Sequence, residues 1–157
     1  MNGNKPDEID LKILRYLQNN AWMNLGKLAG LVGITGGPLS TRIERMEKAG
    51  LIKKFMAVLD REKAGMPVLV MLLVKLKEQN TALLDEFETL ACAMPEVLSC
   101  LNIAGPWNFV LQVAARTPQE YAVWLLENIN SQINVGNVES LFLLKEGKSY
   151  GAIPLKI

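Results

Sequence analysis

Residues 24–50, NLGKLAGLVGITGGPLSTRIERMEKAG, decide how the chain is read. Asn24 is placed to cap a helix, because its side-chain oxygen can accept free N–H groups of the first turn. Leu25, Leu28, Ala29 and Val32 recur at i, i+3, i+4 and i+7, the signature of one buried helix face. Gly33 supplies the left-handed backbone that ends such a helix, and Pro38 suits the first turn of the next. There Leu39, Ile43 and Met46 form an apolar stripe, leaving Ser40, Thr41, Arg42 and Arg45 to face outward. Helix, glycine turn and basic second helix predict a helix-turn-helix DNA reader. Two amphipathic helices around a glycine also occur in proteins that never meet DNA, so the rest of the chain must decide.

Upstream, Asp7 and Asp10 stand three residues apart, as a capping pair does, and both favour a helix N-terminus. Ile9, Ile13, Leu14 and Leu17 give a first helix ending near Gln18, after a frayed Asn2–Lys5. Three helices over residues 1–52 predict a trihelical or winged-type head. Downstream, residues 53–66 read as an extended linker closed by Gly65. Within it Lys53 and Lys54 are placed to pass a phosphate backbone or plain solvent.

Beyond the linker the period changes. Val68–Lys77 is apolar on both faces, as a covered strand is. Thr81 caps a helix striped by Leu83, Leu84, Phe87, Leu90 and Ala91, and Pro95 closes it. Strands follow at Val97–Ala104 and Trp107–Ala115 around a Gly105-Pro106 turn. Thr117-Pro118 opens a helix burying Tyr121, Leu125, Ile129 and Trp124, and Val138–Glu146 is a last strand. The tail from Tyr150 to Ile157 is positioned to add a sheet edge. Residues 67–157 thus predict a βαββαβ, ferredoxin-like domain, and the fold class is α+β. Its helices cover one sheet face, so the second apolar face calls for another copy of the chain: a homodimer.

Composition narrows the function. Half of the 157 residues are apolar, enough for a sizeable core, and no apolar run reaches membrane-spanning length. With no basic-then-apolar leader, the expected location is cytoplasmic. Net charge is +1, but eleven Lys/Arg face seven Asp/Glu through Ala64, against six and nine afterwards. That asymmetry suits a DNA-facing half joined to one that is not, although solvated surface charge gives the same tally. Cys92 and Cys100 lack metal-ligand spacing and sit among apolar residues, so they read as buried, reduced core cysteines. Trp107 and Trp124 read as core or dimer aromatics, and the seven methionines as core fillers. No histidine occurs and no acid/base pair stands out, so neither catalytic residues, a cofactor nor a metal site is expected.

The stretches DEIDLKILRYLQ, LAGLVGIT, RIERMEKAGLI, KFMAVLD, PEVLSCLNIAG and LFLLKEGK, in this order and spacing from Asp7 to Lys148, resemble the Lrp/AsnC family of transcriptional regulators. The resemblance implies a sequence-specific DNA-binding homodimer joined through the tail domains and often built up to tetramers or octamers. It further implies a small effector, usually an amino acid, held between dimers. By motif position the DNA-facing residues are Gly36, Gly37, Ser40, Thr41, Arg42, Arg45, Lys53 and Lys54. The effector region is Ala104, Gly105, Pro106, Trp107 and Asn108, with Leu141 and Phe142 on the last strand.

Two departures carry expectations. The family's Gly-x-Tyr/Phe-Asp-Tyr is here Gly105-Pro106-Trp107-Asn108-Phe109, without a carboxylate, which predicts weak holding of free amino acids. Gly36-Gly37 replaces the more usual Ser, Pro or Thr and predicts a different operator. The competing readings are an enzyme resembling sirohaem decarboxylases, whose chemistry leans on histidines this chain lacks, and a ligand-binding module that has lost DNA.

Overall fold

The computed structural model describes residues 5–149 and 151–156. Asn2–Asn4 of the expected frayed tail lie outside them, as do Tyr150 and Ile157. The chain forms two compact units: one runs through Ala57 and resumes at Lys148, and the other spans Val58–Gly147. The stretch 53–66, read as one linker, is therefore divided between them.

The first unit holds three helices, α1 (Glu8–Leu17), α2 (Leu25–Val32) and α3 (Gly36–Lys48). Asp7 and Asp10 close a reciprocal capping box, each carboxylate accepting the other's backbone N–H at 2.8 and 3.1 Å. Asn24 Oδ1 caps α2 by accepting from Lys27 N at 3.1 Å. Gly33, at φ 76°, stops α2 and turns the chain into α3. The apolar stripes meet in one core of Ile13, Leu14, Leu17, Leu28, Ala29, Val32, Leu39 and Met46. After α3 the N–H groups of Leu51 and Ile52 both return to Met46 O, with Gly50 in the left-handed region at φ 71°. Residues 53–60 then run without a strand ladder.

The tail corrects an expectation. Its described residues join no sheet edge; they pack on α1. The Gln18 amide grips Ile153 from both sides, Oε1 accepting its N–H at 2.6 Å and Nε2 donating to its carbonyl at 3.3 Å. Arg15 Nη2 donates to Leu155 O at 3.4 Å, and the Leu155 side chain packs against the three-helix core.

The second unit is the expected βαββαβ: β1 (Val68–Leu76), α4 (Thr81–Ala93), β2 (Val97–Asn102), β3 (Phe109–Ala115), α5 (Pro118–Trp124) and β4 (Val135–Phe142). The strand order β2-β3-β1-β4 is antiparallel throughout. Val70, Leu72, Val74 and Leu76 of β1 alternate into the core with Phe109, Leu111, Val113 and Ala115 of β3, under Phe87, Ala91, Tyr121, Trp124 and Ile129. Asn80, rather than Thr81, caps α4, its Oδ1 accepting from Leu83 N at 3.0 Å. Beyond Trp124 the helix widens into a π-type turn, Leu125–Asn130.

β4 begins and ends earlier than its apolar run suggests. Gly136 lies in a bulge opposite Lys75 and Leu76, where an added Cβ would stand 3.2–3.3 Å from Lys77 and the Lys75 carbonyl. Cys92 also departs from expectation. It is exposed on α4, and only Cys100 is partly buried.

Candidate DNA interface and effector region

On α3, Gly36, Gly37 and Thr41 are exposed and Ser40 is partly so. The helix starts without a side-chain cap, since Thr35 makes none. Its first amides therefore remain available to an anion, and two glycines let a partner approach the backbone closely. Thr41 Oγ1 donates back to Gly37 O at 3.2 Å, which leaves its acceptor lone pairs outward.

The two arginines are not simply outward. Asp10 on α1 is 1% exposed, and both converge on it. Arg42 Nη1 donates to Asp10 Oδ1 at 2.8 Å and to Asp7 Oδ2 at 2.6 Å, while Arg45 Nη2 donates to Asp10 Oδ2. A buried carboxylate needs such partners, because leaving it unpaired costs several kcal/mol. Only a quarter of the Arg42 side chain is exposed, so the fully outward position expected for it is corrected. Arg45 keeps 44% of its side chain exposed. The Asp10 amide and the Arg42 guanidinium hold the Asp7 carboxyl below the usual carboxylate range, and the two aspartates push Arg42 higher. Residue types in two separate helices gave no sign of this pairing. The one available signal was a second aspartate on a face that otherwise reads as apolar.

Lys53 and Lys54 are exposed. So is Trp22, in the turn before α2, at 97%. Nothing in the periodicity singled it out.

The expected effector residues do not meet within one chain. Ala104, Gly105 and Pro106 are exposed at the β2–β3 turn, and Trp107 is half-buried. Asn108 is committed to the fold. Its backbone N–H donates to Val74 O and its Oδ1 accepts from Leu76 N, both at 2.9 Å, clamping the turn against β1. One of the two lone pairs on the side-chain oxygen that an ammonium would need is already used. Leu141 and Phe142 pair with Met71 and Val70, toward the other end of β1 and on its opposite edge. They also point apart: Phe142 stacks edge-on against Tyr121 at 5.4 Å on the helix side, so Leu141 faces the other way.

That other way is the uncovered face of the sheet. Met71 and Leu73 of β1, Val110 of β3, Leu101 of β2 and Leu141 of β4 share it, by strand alternation and register. Ser99, Gln112, Lys75, Asn137 and Glu139 are its polar members. Two concavities of the domain lie elsewhere. One of about 550 Å³ is lined by Glu96, Tyr121 and Trp124, whose indole Nε1 donates to Glu96 at 3.2 Å. The other, of about 340 Å³, lies between α4 and the approach to β4. Among the described residues, no group of three or more potential metal ligands forms, and no helix is long and apolar enough to cross a membrane.

Residues 69–153 match the family described as Lrp/AsnC ligand binding domain, and residues 6–53 match that described as winged helix-turn-helix DNA-binding. The DNA-binding transcriptional activator DecR of Escherichia coli is 29% identical over 150 residues, covering 96% of this chain and 99% of that one. The proline dehydrogenase transcriptional activator of Rhizobium radiobacter is 32% identical over 153 residues, covering 96% and 98%. A transcriptional regulator of Neisseria meningitidis, solved in complex with L-methionine, superposes with a TM-score of 0.85 at 27% identity, covering 94% and 96% of the two chains.

Proposed function

This chain is a DNA-binding transcriptional regulator of the Lrp/AsnC family, and we propose that α3 reads its operator while a second copy covers the open sheet face. One observation carries the first part: α3 has an uncapped amino end, exposed Gly36, Gly37 and Thr41, a partly exposed Ser40 and an Arg45 side chain that keeps 44% of its surface. Arg42 acts from behind, fixing α3 to α1 through Asp10. Lys53 and Lys54 meet phosphates. A gel-shift titration on fragments of the host genome tests the assignment. Arg45→Ala should weaken binding several-fold, and losing Lys53 and Lys54 should lower the salt slope by about one unit each. Undiminished binding by Arg45→Ala removes that residue from the interface.

The dimer follows from the uncovered apolar strip across all four strands, which a monomer would leave in water. Light scattering on the intact protein should return twice the chain mass or a multiple of it. A monomer refutes the sheet-to-sheet arrangement. In this reading the regulator works in the cytoplasm.

An effector at the Ala104–Asn108 turn would have to sit between copies, because the residues named for it stand at opposite ends of β1. The solved Neisseria complex holds L-methionine. In this chain the turn lacks a carboxylate and Asn108 is engaged, so free amino acids are held weakly. Thermal melts with each of the twenty amino acids decide the point. A ligand at 100 times its dissociation constant adds about 2.7 kcal/mol, a shift of several degrees. A shift of that size with any amino acid overturns the weak-binding reading.

A further inference from the structure

We propose that Trp22 is a DNA-backbone contact of this regulator, set beside the helix-turn-helix to donate its indole N–H to a phosphate and lay its ring along the sugar edge. The proposal rests on the DNA-binding reading and adds a residue to it. Trp22 is 97% exposed, whereas Trp107 is half-buried and Trp124 is buried in the sheet-domain core. A fully hydrated indole adds nothing to the fold it stands on, and a large amphipathic ring with one donor suits an interface that is apolar on one side and polar on the other.

Its position identifies the occupant. Trp22 lies two residues before Asn24, the cap of α2, and its own backbone N–H is pinned to Asn20 Oδ1 at 3.1 Å, so the side chain leaves a fixed turn. In a helix-turn-helix the first helix crosses the phosphate backbone while the second enters the groove. Here α2 is that first helix. Its opening turn carries Lys27 and no acidic residue, so the surface that Trp22 extends is positive where DNA is negative. Phosphate contacts from such a turn fix orientation without reading sequence. The contribution of Trp22 is therefore the same on any duplex.

That property supplies the test, since the operator need not be known. Intact wild-type protein, Trp22→Ala and Trp22→Phe are titrated into a fluorescently labelled duplex of mixed sequence at several salt concentrations. Trp22→Ala should bind about three- to tenfold more weakly, the range of one neutral hydrogen bond. The loss should be equal at every salt concentration, because no counterion is released by an indole. Trp22→Phe keeps the ring and should recover part of the loss. The melting temperature should not move, and the tryptophan emission of the wild type should shift on saturation with DNA while that of Trp22→Ala stays put. Wild-type affinity in Trp22→Ala overturns the proposal while leaving DNA binding intact. A change in assembly mass in that variant also overturns it, since Trp22 would then be a subunit contact. If the wild type binds no duplex at all, the DNA reading itself fails, and this inference with it.

Discussion

The helical head and the sheet domain solve the same problem of a small core by different means. The sheet domain buries thirteen apolar residues in one cluster with no buried charge among them. Among the described residues the head's cluster holds eight. A core of that size leaves little margin, and the head adds two devices: the Asp10 carboxylate clasped by Arg42 and Arg45, and the returning tail with Leu155. One domain is specified by hydrophobic pattern, the other by pattern plus charge. The sheet domain packs its helices on one face and leaves Leu101 and Leu141 of the other exposed. The head is completed from within its own chain.

If the contrast is right, charge removal should hurt the head most. Replacing both arginines, as Arg42→Met with Arg45→Met, strands a buried carboxylate and should cost about 3–5 kcal/mol. Calorimetry should show the head's transition lost or sharply lowered while that of the sheet domain persists. Equal lowering of both, or of neither, breaks the comparison.

Within the sheet domain the corresponding weak point is polar. Asn108→Ala leaves the Leu76 N–H without its acceptor and should cost about 1–3 kcal/mol. Urea unfolding should locate that loss in the sheet domain alone.

Acid sharpens the contrast further. The Asp7 carboxyl is depressed by the Asp10 amide and by Arg42. A depressed acid stabilises the fold above its unfolded value, about 3.9, and that stabilisation disappears as pH falls through the lower folded value. The head should therefore melt at a constant temperature down to about pH 5 and lose stability below about pH 4. Asp7→Asn should flatten part of that fall, as followed by helical circular dichroism.

The smallest effect is chemical. Cys92 is exposed, while burial and the neighbouring Cys92 push the Cys100 thiol up to about 12. Iodoacetamide at pH 8 should alkylate Cys92 first, because the thiolate is the reactive species. Mass spectrometry showing Cys100 modified first would contradict the packing of α4 on β2.

What the sequence disclosed divides along the same line. The capping pair Asp7/Asp10, the Gly33 turn and the βαββαβ order all follow from spacing within a few residues, and each is in place. Partnerships between distant residues were not legible. Arg42 and Arg45 look outward on a helical wheel, because the wheel does not contain Asp10. Asn108 looks like a vacant ligand position, because its partners are backbone groups of β1, which have no letter in the sequence. Gly136 and Asn137 interrupt the apolar run that marks β4, so its true start was hidden. The Gln18–Ile153 clamp joins two segments with no shared period at all.

That clamp has a bearing on how the protein is born. Gln18 and Ile153 are 135 residues apart, and Arg15 and Leu155 are 140 apart. At a synthesis rate of about 5–20 residues per second, α1 is made roughly 7–30 s before the segment that closes the head's core, and α3 roughly 5–20 s before it. In that interval the whole sheet domain is translated. The usual order, in which the amino-terminal domain matures first, is inverted: the sheet domain has all its residues before the head does. A chain clipped after β4 would keep every strand of the sheet domain and lose the clamp between Gln18 and Ile153.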